Sequence, residues 1–363
     1  MTGNTLGWVI VAFVLYLLMM IAIGAFYAKG NNNSEDYFLG GRKLNGFVAA
    51  LSAQASDMSG WLLMGLPGAI YLTGVGGDGW IAIGLFIGTT LNWLFIATKL
   101  RRYTIRANNS VTLPTYFENR FHDDKKVLMT VSSITIVVFF LVYCASALSA
   151  GGQLFESVFG IDYHVALTIG ALVVLVYTFL GGFTAVCVTD FIQGMLMLVG
   201  ILAVPLFAYH FLTTGGTTLS AGLEASGADS ANFLNLMKNG DGSNNIISVI
   251  SGLGWGLGYF GMPHILVRFM AVRDEKEMTK SKATAISWVA LSLGFAVFIG
   301  ILGRAYLPEL VNGNNEKVFI EMIKKVFTVE MRAPFIAGLF LCGILAAIMS
   351  TADSQLLVSA SSV

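Results

Sequence analysis

Long runs of apolar residues, separated by short polar segments, dominate this chain. About 20 consecutive apolar residues are enough for a helix to cross the roughly 30 Å hydrocarbon core of a bilayer. The pattern predicts nine membrane-spanning helices, at about 6–28, 44–72, 77–99, 126–156, 163–181, 185–212, 244–270, 282–306 and 333–363. It therefore predicts an all-α membrane protein in which residues 1–363 form a single transmembrane domain.

The composition agrees with a lipid bilayer as the surroundings of the chain. Hydrophobic residues make up 56% of the sequence and charged residues only 12%, whereas about 25% of residues are charged in soluble proteins. The formal net charge of zero argues against a nucleic-acid partner. Three cysteines lie singly in apolar segments, so they predict neither a disulfide framework nor a metal site. No nucleophile–base or metal pattern typical of an enzyme is evident.

The basic residues concentrate in alternate loops. The first, third and seventh predicted loops carry 15 of the 21 Lys and Arg residues, with Arg268 counted at the end of the seventh span. Because cytoplasmic loops carry an excess of Lys and Arg, this bias places the N-terminus outside.

The sequence also predicts the local structure of three segments between the spans. The external loop 213–243 is rich in Gly, Ser, Thr and Asn and is expected to be irregular. In the internal loop, Thr112–Phe121 has a proline just inside a probable helix start, which predicts an interfacial helix. A short surface helix is predicted before the last span from its spaced apolar residues, Val318, Ile320, Ile323 and Phe327.

The second span is interrupted at its centre. Within Ser52–Gly68 lie an acid, Asp57, the hydroxyls of Ser56 and Ser59, and Gly60. An ionisable group at that depth costs about 3 kcal/mol or more, so it predicts a functional site. A helix break here would free backbone groups to face a ligand, as in transporters with discontinuous helices. The alternative is a kinked helix with a hydrogen-bonded acid.

The seventh span is interrupted as well. Five glycines lie within Ser251–His264, and no strand–turn–helix context supports a dinucleotide-binding loop. Because spans two and seven are five apart, they cross the membrane in opposite directions. The pair therefore predicts an inverted repeat of spans two to six and seven to eleven, with the site between the breaks. We expect the second repeat to be truncated at residue 363. Gly84 and Gly88 form a GxxxG pattern, which favours close helix packing inside the fold over dimerisation.

Five segments identify a family: DYFLGGRKLNGF, LSAQASDMSGWLLMGLPGAIYLTG, FFLVYCASALSAGGQLFE, GWGLGYFGMPHILVRFMA and AAIMSTADSQLL. From about Tyr37 to Leu357 they closely resemble the sodium/solute symporter family. The resemblance implies a LeuT-type fold of two inverted five-helix repeats with broken helices, and places the missing spans after residue 363. It also implies Na⁺ as the coupling ion, with no organic cofactor.

Span nine presents three residues on one helix face, Ala347, Ser350 and Thr351, spaced i, i+3 and i+4. Ser and Thr also serve as packing residues in membrane helices, so spacing alone leaves both interpretations open. The resemblance implies that this face binds sodium together with backbone oxygens of the second span, with Asp57 supplying nearby negative charge. The implied sodium-binding residues are Ala55, Met58, Ala347, Ser350, Thr351 and Asp57.

The resemblance implies a substrate site for L-proline between the two breaks. Half-helix N-termini after Met58 and Gly258 would present amides to the carboxylate. Trp255 and Tyr259 are four residues apart and could wall the ring, although such pairs are ordinarily core packing. The implied substrate-binding residues are Ser59, Gly60, Trp61, Tyr143, Trp255, Tyr259 and Pro263.

A second ion site or a coupling role is implied for Asp190, Asp353, Ser354 and Arg42. Arg42 lies 15 residues before Asp57, roughly 22 Å along a straight helix. That distance is too long for direct pairing, so anchoring the inner face is an equally good role for Arg42.

Together with these observations, the resemblance implies a Na⁺-coupled symporter that imports L-proline by alternating access in a bacterial cytoplasmic (inner) membrane. Two alternatives stay open. The first is a sodium symporter for another small organic solute, and the second is a transporter-like sensor domain of a signalling protein.

Overall fold

The computed structural model describes residues 3–30, 33–312 and 314–363, and these residues are almost entirely helical. The long helices are α1 (Gly3–Tyr27), α5 (Val75–Leu91), α8 (Val127–Phe159), α9 (Tyr163–Thr214), α14 (Glu275–Tyr306) and α16 (Pro334–Ser361). The shorter ones are α2 (Ser34–Leu39), α3 (Gly46–Gly60), α4 (Leu66–Thr73), α6 (Ala97–Arg106), α7 (Leu113–Phe121), α10 (Leu219–Ala225), α11 (Ser230–Phe233), α12 (Ile246–Gly254), α13 (Pro263–Ala271) and α15 (Val318–Ile323).

The predicted spans coincide with helical segments of the structure. Among the described residues, six helices are long and apolar enough to cross a membrane, and the bent pair Ile246–Gly261 and Pro263–Ala271 raises the count to seven. The second span is divided among α3, a π-helical turn at Trp61–Gly65 and α4. The fifth and sixth spans form one assigned helix, α9, which turns at Gly182. The number of membrane crossings stays a prediction.

Gly182 kinks α9 between the predicted fifth and sixth spans. Its backbone has φ 61° and ψ −161°, a conformation that a residue without Cβ adopts readily. The kink lies where the hydropathy pattern separates residues 181 and 185.

Spans two and seven are antiparallel, as their spacing predicts. The segment before α3 meets the end of α13: Leu44 N donates to the Ala271 carbonyl at 3.2 Å, and Arg273 N donates to the Leu44 carbonyl at 2.9 Å. The two breaks therefore face each other from opposite chain directions, the arrangement expected of an inverted repeat.

The glycine pattern in α5 packs inside the fold. An added Cβ on Gly84 would lie 2.2 Å from the Gly252 carbonyl oxygen, and one on Gly88 would lie 2.2 Å from that of Gly256. Gly252 and Gly256 form a second GxxxG pattern, which packs against that of Gly84 and Gly88. The prediction of close packing inside the fold is therefore confirmed. This contact brings α5 against the break of the seventh span.

Three sequence predictions need correction, each because tertiary packing covers the segment. The external loop 213–243 contains α10 and α11 and is not irregular throughout. The helix predicted before the last span exists as α15 and a following π-helical segment, but its apolar residues are buried and not on the surface. Arg268 lies inside α13 with 1% of its surface exposed, so it is not a loop residue. The predicted helix start at Thr112 is confirmed, because the Thr112 side chain caps α7.

Candidate ion and substrate site

The second span breaks at Ser59. This residue has φ 54° and ψ −173°, a region used almost only by glycine and costing about 1–3 kcal/mol. Its side-chain oxygen accepts the backbone N–H of Trp61 at 3.1 Å, which satisfies one amide of the second half-helix. Strain of this kind is typical of functional sites, and here it lies two residues after Asp57.

The seventh span breaks between Trp255 and Met262. Residues Trp255–Gly261 form a 3₁₀ segment, Met262 is extended, and Pro263 begins α13. The two halves are bent by 47°. Proline has no N–H to leave unpaired at a helix start, which accounts for the new start at this residue.

Four predicted sodium ligands are brought together where α16 crosses α3. The Ser350 hydroxyl donates to the Ala55 carbonyl at 2.9 Å and lies 3.2 Å from the Ala347 carbonyl. The Thr351 hydroxyl donates to the same Ala347 carbonyl at 3.0 Å. These four residues, here called the sodium face, are fully buried. Carbonyl and hydroxyl oxygens are the ligands that hard cations take.

Met58 lies next to the sodium face. It is buried, and its carbonyl accepts the N–H of Trp61 at the break. The structure thus places the predicted sodium ligands at one helix crossing, on the edge of the strained segment. Their role as ligands stays a prediction.

Asp57 lies at the break among aromatic side chains. The Tyr259 side chain faces its carboxylate, and Tyr143 Oη lies 3.5 Å from its backbone carbonyl. The Asp57 Oδ2 atom is buried and has no hydrogen-bond partner among the described residues. A buried acceptor without a partner is costly, so this oxygen is free to accept a donor from a bound molecule.

A cavity of about 100 Å³ lies between the two breaks. One water occupies roughly 10–15 Å³ on this scale, so the cavity holds several waters or one small molecule. At its mouth the Trp61 and Trp255 rings stack at a centroid distance of 6.0 Å and an angle of 19°. The predicted substrate residues that line the cavity are Ser59, Trp61, Tyr143, Trp255 and Tyr259.

Two predicted substrate residues lie outside this lining. An added Cβ on Gly60 would lie 3.1 Å from the Ile348 side chain, so Gly60 packs against α16. Pro263 is buried at the start of α13, and its neighbour Met262 lines the cavity instead. Both residues shape the breaks without facing the cavity, because the chain turns immediately beside them.

Sequence reasoning missed several residues of the cavity. Leu85 and Met262 also line it, and Asn92 Nδ2 donates to the Tyr259 carbonyl at 2.8 Å. Gly258 lines the cavity too, but the half-helix expected after it begins only at Pro263, because Trp255–Gly261 is a 3₁₀ segment. Asn92 begins a π-helical turn in the middle of an apolar run. A polar residue in such a run is a signal that could have identified it.

Three of the four residues of the predicted second ion site, Asp190, Asp353 and Ser354, meet around Arg268. This side chain forms an ion pair with Asp190 at 2.9 Å, with the two residues 1% and 0% exposed. It also donates to Ser354, and the Ser354 hydroxyl donates to Asp353 at 3.1 Å. Its position near the end of the span groups Arg268 with the seventh loop, a prediction that the structure contradicts. The apolar residues on both sides of this arginine are the sequence signal for a buried position.

Arg42 lies outside that cluster. Its guanidinium donates to Asn109 Oδ1, Thr104 Oγ1 and two backbone carbonyls, those of Met270 and Ser110. Burial lowers the pKa of the guanidinium, and the nearby Glu35 acts in the opposite direction. The arginine ties the entry of α3 to the ends of α6 and α13, which supports its anchoring role and separates it from the ion site.

Comparison with known proteins identifies the class. The sequence model of the "Sodium:solute symporter family" matches residues 37–363, and the chain belongs to this family. It is therefore a multi-pass membrane transporter that uses sodium as its coupling ion.

Among the individual relatives, three sodium/proline symporters are 43–45% identical to this chain. The sodium/proline symporter of Salmonella typhimurium is 45% identical over 360 residues, which cover 98% of this chain and 69% of the relative. The sodium/proline symporter of Escherichia coli is 44% identical over the same shares. That of Staphylococcus aureus is 43% identical over 97% of this chain and 66% of the relative. The chain thus spans about two thirds of the length of these relatives.

The fold agrees with that of a solved symporter. A Na⁺-coupled sialic acid symporter in a substrate-bound, outward-open state superposes with a TM-score of 0.81 at 21% identity, covering 98% of this chain and 73% of that chain. The predicted LeuT-type fold is confirmed.

Proposed function

We propose that the protein is a sodium-coupled symporter that imports L-proline by alternating access across a bacterial cytoplasmic membrane, with its N-terminus outside. The observation that carries the proposal is the cavity between the two breaks, which lies directly beside the sodium face. The names of the 43–45% identical relatives supply the substrate.

The cavity suits a small zwitterion with an apolar ring. The amides of the half-helix after Ser59 and the positive end of its dipole attract a carboxylate. The Asp57 oxygen without a partner accepts the amino group, and the aromatic side chains of Trp255 and Tyr259 cover the apolar ring. No organic cofactor takes part in this scheme.

Sodium and proline assist each other through the break in span two. An ion held between Ala55 and Ser350 fixes the end of α3, and the same end forms one wall of the cavity. By linkage, proline raises the affinity for sodium by the same factor. Each sodium charge that moves inward gains about 2.3 kcal/mol per 100 mV of membrane potential, which drives accumulation of the solute.

Reconstitution tests this function directly. In proteoliposomes that contain the full-length protein, with an inward sodium gradient, radiolabelled proline should accumulate, and a potassium or choline gradient should give no accumulation; residues 1–363 alone should not accumulate proline. Unlabelled amino acids and other small organic solutes are added as competitors. Displacement by a different solute, with no uptake of proline itself, would contradict proline as substrate and favour another member of the family. Absence of sodium-driven transport of every solute tried would favour a sensor.

A further inference from the structure

An apolar groove lies on the outer surface of the helices, between the beginnings of the predicted spans two, six and eight. It encloses about 800 Å³ and is lined by residues in the ranges 45–51, 191–198 and 283–291. Pockets that bind small molecules have volumes of about 300–1,000 Å³. The groove shares no lining residue with the substrate cavity, so it is a separate feature of the fold.

The depth of the groove matches one leaflet of a bilayer. Spans two, six and eight are an even number apart, so all three begin on the side where the basic loops concentrate. From residue 283 to residue 291, α14 rises about 12 Å, which is close to half of the roughly 30 Å hydrocarbon core. The groove therefore runs from the membrane interface nearly to the midplane, as does an acyl chain of that leaflet.

The lining of the groove suits a hydrocarbon chain. Apart from Asn45, Thr284 and Ser287, every side chain that lines it is apolar or aromatic. The indole N–H of Trp288 is already bonded, since it donates to the Gly194 carbonyl at 3.2 Å. Among the described residues, none that lines the groove has a buried polar atom without a partner. The groove thus offers apolar contact area and no orphaned polar group for a polar ligand.

A lysine stands at the interfacial end of the groove. Lys280 precedes Thr284 by four residues and shares its helix face. Its ammonium donates to Glu277 at 2.8 Å, and its side chain is 53% exposed. That carboxylate also accepts the Gly46 N–H at 2.6 Å and lies 3.4 Å from the Arg273 guanidinium. Two cations share one acid here, and an ammonium has three donors, so Lys280 has donors left for a second anion.

We propose that this groove binds an anionic glycerophospholipid, with an acyl chain along the groove and the phosphate at Lys280. The apolar lining holds the chain, and the excess of positive charge at the interfacial end selects an anionic headgroup. The proposal goes beyond the proposed function and does not depend on which solute is transported.

The groove adjoins the part of span two that leads to the sodium face. Leu51 lines the groove and precedes Ala55 by one helical turn. Beside it α3 packs closely on α9, since an added Cβ on Gly194 would lie 3.3 Å from the Ala55 Cβ. A lipid in the groove therefore supports the position of α3 against α9 and α14.

Native mass spectrometry of the full-length protein, released from detergent micelles, measures the bound lipid. The protein is offered equal amounts of palmitoyl-oleoyl phosphatidylglycerol and the matching phosphatidylcholine, which share their acyl chains and differ in charge. The parent should retain phosphatidylglycerol in roughly fivefold excess, the ratio that about 1 kcal/mol per lysine near an anionic lipid gives. Lys280→Gln should bring the ratio close to one. Ser287→Phe places a ring in the groove and should reduce the retention of both lipids.

Two variants on the same helix serve as matched controls. Lys282 donates to the Leu94 carbonyl at 3.4 Å and does not line the groove. Ala290 lines a different apolar groove, between α14 and α5. Lys282→Gln and Ala290→Phe should both keep the lipid ratio of the parent. A loss of preference in Lys282→Gln as large as that in Lys280→Gln would show a response to surface charge alone and would overturn the site.

Melting temperatures separate a lipid from a protein occupant. In lipid-free detergent Ser287→Phe should melt near the parent, because Ser287 is exposed and the ring enters free space. Added phosphatidylglycerol should raise the melting temperature of the parent more than that of Ser287→Phe. A large fall for Ser287→Phe without lipid would mean that a helix of the same chain or of a second copy packs in the groove, and the proposal would be wrong. Equal retention of the two lipids by the parent would likewise contradict it.

Discussion

The Ser350 hydroxyl lies 2.9 Å from the Ala55 carbonyl oxygen and joins a continuous helix to a broken one. Two residues after Ala55 comes Asp57, and two further on comes the strained Ser59. An ion bound at this crossing therefore acts on the same backbone that forms the substrate cavity. This relationship gives the structural basis of coupling in the proposed cycle.

The first prediction concerns the hydroxyls of the sodium face. Removing one from a dry ion site leaves a ligand position empty, and charge-assisted contacts are worth about 1.5–3 kcal/mol. Thr351→Val should weaken sodium binding roughly ten- to a hundredfold, at about 1.4 kcal/mol per decade. Thr351→Ser keeps the oxygen and should be mild. Proline binding across a sodium titration measures both.

The linkage between sodium and proline binding provides a control for the Thr351 variants. Because proline and sodium raise each other's affinity, proline binding to Thr351→Val should be weak at low sodium and recover as sodium increases. Ala347→Gly retains its backbone carbonyl and should be gentler than either hydroxyl deletion. A Thr351→Val variant that titrates with sodium as the parent does would show that the hydroxyl is structural.

The second prediction concerns Tyr259, which is buried and lines the cavity. Tyr259→Ala removes the ring that covers the substrate and should raise the half-saturating proline concentration about tenfold or more, a loss of about 1.4 kcal/mol or more. The hydrogen bond from Asn92 should persist, because it goes to the backbone carbonyl of residue 259. Uptake kinetics measure the change.

Phe260 offers a matched control for the tyrosine. It is the next residue, is partly exposed, and is not among the residues that line the cavity. Phe260→Ala should leave the half-saturating concentration nearly unchanged. If Tyr259→Ala lowers thermal stability but keeps the parent affinity in the folded fraction, the ring serves as core packing and the cavity assignment is wrong.

Most of the fold could be predicted because membrane insertion imposes simple rules on sequence. Apolar runs must match the bilayer, and the helix breaks are marked by Ser59, its neighbours and the glycines of span seven. The position of Arg268 could not be predicted in the same way. A basic residue near the end of a span belongs to the interface unless a partner is buried beside it, and the partner, Asp190, is 78 residues away in sequence.

In the candidate site, too, some features could be predicted from the sequence and others depend on the fold. Spacing on one helix placed Ser350 and Thr351 together, and the structure keeps them together. Which neighbours of a break face the cavity depends on where the backbone turns. Gly60 and Pro263 do not line the cavity for this reason, whereas Met262, for which the sequence predicted no role, does, since a rotation of one residue at a break redirects a side chain.

The last prediction tests the contact between α5 and the broken seventh span. A Cβ on Gly84 would lie 2.2 Å from the Gly252 carbonyl oxygen, so Gly84→Ala must push the two helices apart. Overpacking typically costs about 1–3 kcal/mol, and the melting temperature in detergent should fall. Since α12 leads directly into Trp255, the affinity for proline should fall as well.

Gly294→Ala is the matched control, because an added Cβ there meets nothing within 4 Å and alanine favours the helix. Gly294→Ala should melt at or slightly above the parent temperature. Equal melting temperatures and equal proline affinities for Gly84→Ala and the parent would mean that the helices tolerate a wider separation, and that the GxxxG contact does not position the break.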